Sequence, residues 1–260
     1  MMLKTLDNSL ELLKCFTKQN PSWGVRELSK EMNMNHSVVY RILSTFESHG
    51  FLAQNSETKK YELGIRFMEY GYIVQEKMNL SNFIYPIMKE LSEETEESTF
   101  LTWLEGSEGI TVEIAETDKR IKFAVSKGAR SVLYAGASSK VIMAYLPQEK
   151  IAEIMDTGLQ AFTTKTILEP ETLLKDLEEI RAKGWCYSIG EYSESIFALS
   201  VPLFNRKNEI IASLTIGGPE YRMPESIIPE VLPKLQKAAE KIQGYFSQYD
   251  VETQSNYISR

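Results

Sequence analysis

The stretch Asn33–Leu43, NMNHSVVYRIL, decides how the first quarter of the chain is read. Val39, Ile42, Leu43 and Phe46 recur at i, i+3, i+4 and i+7, which is one apolar face of a helix, and Gly50 stands where that helix must stop. Asn35 has the short polar side chain that caps a helix start. Upstream, Val25, Leu28 and Met32 mark a second short helix, and Asn33-Met34-Asn35 is the tight connection between the two. Leu6, Leu10 and Leu13 predict a first helix with its core face along those leucines, ended by Asn20-Pro21. Downstream, Phe51–Gln54 and Lys60–Leu63 flank the polar turn Asn55-Ser56-Glu57-Thr58. Helix, helix, turn, helix and hairpin is the order of a winged helix-turn-helix.

With the apolar set turned inward, His36, Ser37, Tyr40 and Arg41 face outward near the N-terminus of the third helix. That is the end which meets base edges in a major groove. Arg41 can fork onto guanine or clamp a phosphate, and Ser37 and Tyr40 can donate to phosphate oxygens. Lys59 and Lys60, at the base of the hairpin, are expected to touch the neighbouring backbone or minor groove. The charge distribution permits this. The whole chain carries −7, but residues 1–62 hold 8 Lys+Arg against 7 Asp+Glu, and the acidity lies in the remainder.

Beyond Gly64 a helical stretch runs to about Asn79, with Phe67, Met68, Gly71, Val74 and Met78 on one side, as expected of a helix that links domains and pairs with a copy of itself. Ile84, Ile87, Met88 and Leu91 describe another helix, with Pro86 in its first turn. From about Ser98 the period becomes two. Ile110-Val112-Ile114 and Ile121-Phe123-Val125 read as half-buried strands with those residues inward. Helices are expected at Ser139–Leu146 and Pro170–Lys183. Strands follow at Ile196–Phe204 and Ile210–Ile216, joined by the turn Asn205–Asn208, and a last helix runs from about Ile227 to Tyr249. Strands mixed with flanking helices give an α+β class. The tail, 251–260, is polar and is expected to be disordered.

Several chemistries are excluded. The only histidines are His36 and His49, so the larger part of the chain works without imidazole, which removes His-dependent triads and His-ligated zinc. Cys15 and Cys186 form no CxxC pair. Val141–Leu146 is the longest apolar run, far short of a membrane span, and the N-terminus has no secretory h-region; a cytoplasmic location is expected. No GxGxxG or GxxxxGK[ST] loop is present. Ser138 or Ser139 with Lys140 does not match S-x-x-K, and Lys140 is expected to point to water. Glu93-Glu94 and Glu96-Glu97 read as a solvated helix end rather than a metal cluster. No catalytic residue, metal ligand or cofactor site is expected. The small residues Ala135–Ser139 before a helix start either leave room for a ligand carboxylate at free backbone N–H groups or only allow close packing.

The chain resembles the IclR family of bacterial transcriptional regulators. The resemblance spans nearly the whole sequence and rests on Asn33–Leu43, ESHGF at 47–51, KYELG at 60–64, Ala135–Lys140, TTKTI at 163–167, LLKDLEEIRAKG at 173–184, and ALSVPLFNRKNEIIASLTIGGP at 198–219. It implies a winged helix-turn-helix DNA-binding domain (1–64), a linker helix (65–80), a GAF-like effector-binding domain (81–250) and the tail. It further implies a dimer or tetramer on double-stranded DNA at a palindromic operator, acting as a repressor of a catabolic operon under a small-molecule effector. Arg41 matches the recurrent recognition-helix arginine. The family's effector pocket maps onto Ala137, Ser138, Ser188, Ile196, Ala198, Thr215 and Gly217. Here Ser139 replaces a common glycine, Ser188 stands where some members carry a carboxylate, Ala198 where a cysteine is frequent, and Gly217 where a hydroxyl is often present. These departures predict a larger or less polar ligand. The alternatives are a sensor acting through protein contacts without DNA, and an enzyme built on the α+β domain.

Overall fold

The computed structural model describes residues 3–78 and 80–248. The predicted tail at 251–260 and the end of the last helix at Tyr249 lie outside the described residues, as does the side chain of Met78. The chain divides into two compact units at Met78/Asn79.

The first unit contains α1 (Lys4–Lys14), β1 (Ser22–Trp23), α2 (Val25–Glu31), α3 (His36–Ser48), β2 (Leu52–Gln54), β3 (Tyr61–Leu63) and α4 (Arg66–Met78). Asn35 caps α3 as expected: its side-chain oxygen accepts from the Ser37 N–H at 2.9 Å. The wing is three-stranded, order β1-β3-β2, because Ser22 and Trp23 pair with Glu62 and Tyr61, an edge the sequence did not announce. Gly64 is required where the chain leaves β3. Any Cβ there would come within 2.3 Å of the Gly50 carbonyl oxygen. The core is Leu12, Phe16, Leu28, Val39, Ile42, Leu43, Leu52 and Tyr61.

The expected core face of α1 is corrected. Leu12 and Phe16 are buried, whereas Leu6 and Leu10 are exposed together with Leu3. The helix carries two apolar stripes, and spacing alone picked the outer one. On α4, Met68 and Val74 are exposed as well, along with Tyr72 and Ile73.

In the second unit a short π-helical turn (Leu80–Ile84) leads into α5 (Tyr85–Thr95). There follow β4 (Ser98–Glu105), β5 (Glu108–Ala115), β6 (Arg130–Val132), α6 (Ala137–Met143), α7 (Gln148–Asp156), α8 (Pro170–Lys183), β7 (Cys186–Ile189), β8 (Ile196–Phe204), β9 (Ile210–Pro219) and α9 (Ile228–Gln248). The strands form one antiparallel six-stranded sheet, order β6-β5-β4-β9-β8-β7. Both of its faces are covered. On one, Trp103 meets Phe246 of α9 edge-on, and the Thr99 hydroxyl donates to the Met88 carbonyl of α5. On the other, Ser213 donates to the Ser138 carbonyl of α6 at 2.7 Å.

Two strand expectations change as a result. Ile110, Val112 and Ile114 do alternate, but they are the less buried set; Gly109 and Thr111 are buried on the α6 face, and Glu113, buried too, stands opposite Leu101 beyond a bulge in the pairing. A polar residue in a strand was read as solvent-facing, whereas a sheet covered twice buries both sets. Ile121-Phe123-Val125 is a loop. The start of the β5 edge is taken by β6, with Gly109 opposite Ser131 and Ile110 opposite Arg130, and the Ile121 carbonyl is held instead by the Arg222 guanidinium at 2.8 Å.

Candidate nucleic-acid interface and ligand cavity

His36, Ser37, Tyr40 and Arg41 are all exposed on α3, on the surface opposite its buried Val39 and Leu43. Ser37 shares its hydroxyl with the Asn35 side chain at 2.7 Å, so this end of the helix is ordered before any partner arrives. Arg41 also borders a shallow groove with Thr5, Leu6 and Ser9 of α1. Lys59 is exposed at positive φ in the wing. Lys60 is placed differently from expectation: its ammonium meets Glu27 at 2.9 Å. The Gly24 N–H, and then Lys60, hold the Glu27 carboxyl below the usual carboxylate range. Lys60 therefore fastens the wing to α2, and Lys59 is the uncompromised cation of the expected pair.

The second unit holds a cavity of about 100 Å³ between the sheet and the start of α6, walled by the loop carrying Phe123 and Val125. Ala137, Ser138, Ser188, Ile196 and Ala198, five of the seven positions expected at an effector pocket, line it. Thr215 and Gly217 do not. The Phe100 ring occupies the space over Gly217, where a Cβ would lie 3.1 Å from it, and Thr215 Oγ1 pairs with Ser200 Oγ at 2.9 Å. The space is small, and its lining mixes hydroxyls with the apolar side chains of Phe123, Val125 and Ile196. Ser139 lies in the small-residue segment already singled out, whereas Thr102, Thr111 and Ser131 were missed. These three sit on β4, β5 and β6, and no local pattern points at a residue whose role depends on separate elements meeting.

Two of the N–H groups at the start of α6 are already engaged by side chains. Gly136 donates to Glu191 at 3.2 Å and Ala137 to Ser188 Oγ at 2.9 Å. Glu191 was missed as well. Its position is fixed by the TTKT segment, where the Thr163 hydroxyl donates to the Gly190 carbonyl at 2.5 Å and that of Thr166 to the Glu191 carbonyl at 2.7 Å.

Lys140, expected to reach water, is 1% exposed and makes ion pairs of 2.7 Å with both Asp176 and Glu191. Burial opposes its charge, but the negative groups around it more than offset that and hold its pKa above the ordinary lysine value. At neutral pH those groups are the two carboxylates, because burial pushes the neighbouring Cys186 thiol up to about 12. Of the glutamate-rich segment, Glu97 is also buried, between Arg222 and Gly218, rather than solvated; burial raises its pKa and Arg222 opposes the rise. Among the described residues there is no metal-ligating cluster and no helix long and apolar enough to cross a membrane.

Comparison with known proteins agrees with this anatomy. Residues 5–56 match the IclR helix-turn-helix domain, and residues 73–244 match the bacterial transcriptional regulator IclR C-terminal domain. The chain is 33% identical over 240 residues to the HTH-type transcriptional regulator KipR of Bacillus subtilis, covering 92% of this chain and 95% of that protein. Its fold is similar to a putative IclR regulator from Silicibacter, with a TM-score of 0.86 at 23% identity over 93% and 96% of the two chains. It is also similar to an IclR homologue from Microbacterium hydrocarbonoxydans complexed with 4-hydroxybenzoate, with a TM-score of 0.78 at 19% identity over 92% and 98%. A helix-turn-helix unit followed by this sheet-and-helix unit, matched in order along the chain, means that the protein belongs to the IclR family of bacterial transcriptional regulators.

Proposed function

We propose that the protein is a ligand-responsive repressor that binds a palindromic operator as a dimer or tetramer, with its effector in the cavity beside α6. The observation that carries the reading is the exposed, pre-ordered N-terminal face of α3, where Arg41 stands beside Ser37 and Tyr40. In a helix-turn-helix this face enters the major groove, and an arginine there reads guanine or grips phosphate. Self-association is supported by the exposed apolar side chains of α1 (Leu3, Leu6, Leu10) and α4 (Met68, Tyr72, Ile73), since surfaces of this kind mark contact sites. Two-fold symmetry then sets two half-sites roughly 34 Å apart or a multiple of that. A dimer seated on a promoter excludes polymerase, which makes repression the direct outcome of operator binding. The 4-hydroxybenzoate held by the Microbacterium homologue supports a small organic ligand as the input. Such a ligand alters DNA binding only as far as it binds the two states of the dimer differently.

The test is enrichment of bound duplexes from a random pool by the wild-type protein and by Arg41→Ala, at two salt concentrations. A palindromic motif that weakens with salt and vanishes in the variant is expected. An identical motif from both proteins removes Arg41 from the interface, and no motif from either overturns sequence-specific binding.

A further inference from the structure

Resting on the reading of the cavity as the effector site, we infer that its ligand is a small neutral polyol or sugar of about three carbons, recognised by Thr102 and Thr111.

Thr102 of β4 and Thr111 of β5 stand directly opposite each other in the sheet register and both line the cavity. They are 2% and 8% exposed, and among the described residues neither hydroxyl has a hydrogen-bond partner. Among the described residues the sealed-off hydroxyl without a partner is that of Ser92, so the Thr102 and Thr111 hydroxyls open onto the cavity they line and are left for a ligand to satisfy. Gly109 makes room for the arrangement. A Cβ there would come within 2.8 Å of the Thr102 methyl and 2.9 Å of Ser131 Oγ.

The charge balance decides against an acid. Of the lining residues Arg130 carries the positive charge, and Glu108 holds it at 2.6 Å. Lys140 lies behind α6 and is saturated by two carboxylates, so that cluster carries a net negative charge next to the cavity. Glu191 already takes the Gly136 N–H that a ligand carboxylate would seek. An anion entering here loses its hydration and finds no free cation, whereas a neutral hydroxyl can both donate to and accept from threonine. Phe123, Val125 and Ile196 provide an apolar wall for the carbon skeleton. The size follows from volume: a cavity of roughly 150 Å³ accommodates the six heavy atoms of benzene, this one is smaller, and a three-carbon polyol with its three oxygens already has six.

The experiment is titration calorimetry on the full chain with glycerol, erythritol and ribitol, each against its matched acid, glycerate, erythronate and ribonate. Glycerol is expected to bind about tenfold or more tighter than glycerate, and ribitol to bind more weakly than glycerol. Thr102→Val and Thr111→Val keep side-chain shape and are each expected to weaken that binding about tenfold at an unchanged melting temperature. Ala198→Leu fills the cavity from β8 and is expected to abolish binding. Acids that bind as well as the polyols, and are lost in Ala198→Leu, overturn the neutral ligand while leaving the cavity as the effector site. Polyol binding that survives Ala198→Leu overturns the cavity reading itself. Unchanged affinity in both valine variants, or no binding from either series at millimolar concentration, overturns the inference.

Discussion

Replacing Lys140 by Met tests how the start of α6 is held. Its ammonium sits between Asp176 of α8 and Glu191, both at 2.7 Å, with 1% of the lysine exposed against 32% and 12% of the two acidic side chains. Removing one member of a buried ion pair costs about 3–5 kcal/mol because the other is left charged without a partner. Asp176 is about one-third exposed and can rehydrate, so its share is small. Glu191 retains only the Gly136 N–H, at 3.2 Å, and carries most of the cost. The lower end, about 3 kcal/mol, is therefore expected. For a unit of this size each kcal/mol moves the melting temperature by about 2–4 °C, giving a loss of about 6–12 °C. The assay is thermal unfolding followed by circular dichroism, with urea unfolding as a second measure. Lys140→Met/Glu191→Gln removes the stranded charge and is expected to recover about 2 kcal/mol relative to the additive sum of the single variants. A Lys140→Met protein melting within about 2 °C of the parent refutes the reasoning, as does strict additivity in the double variant.

Further outcomes follow from burial, backbone crowding and charge pairing. Burial holds the Cys186 thiol protonated until about pH 12, whereas an unfolded cysteine ionises near its ordinary value of 9.0. The unfolded state therefore gives up its proton first, and stability is expected to fall as pH rises through that interval but not below it; in Cys186→Ala this part of the loss disappears. Gly64→Ala drives a Cβ to 2.3 Å from the Gly50 carbonyl, so a cost of about 3 kcal/mol is expected in urea unfolding. Gly71→Ala, on α4 with nothing within 4 Å of its added Cβ, is expected to stabilise by about 0.5–1 kcal/mol in the same assay. Lys59→Ala is expected to weaken operator binding and flatten its salt dependence by about one charge, whereas Lys60→Ala changes that slope little because Glu27 already neutralises it. Equal slopes for the two variants, measured by fluorescence anisotropy, would count against that assignment.

Chemistry written in consecutive residues was legible without coordinates. Asn35 and Gly50 bound the recognition helix, α8 runs over Pro170–Lys183, and β8 runs over Ile196–Phe204, as the sequence indicated. A cap, a breaker or a 3.6-residue period acts over a few residues, so the sequence reports it directly. The IclR likeness draws on the same local motifs in their order. What the sequence could not carry depends on which elements meet. Thr111 looked solvent-facing until a second layer covered the sheet, and Lys140 looked like a surface lysine until Asp176 and Glu191 arrived from 36 and 51 residues away. Thr215 and Gly217 matched the family's pocket positions, yet the Phe100 ring and the Ser200 hydroxyl occupy the space they would need. By itself, then, the sequence determined the helix-turn-helix, the order of the elements and the family. Only tertiary structure decided which polar groups are buried together and what charge the cavity faces, because desolvation and Coulomb pairing depend on distance through space rather than along the chain.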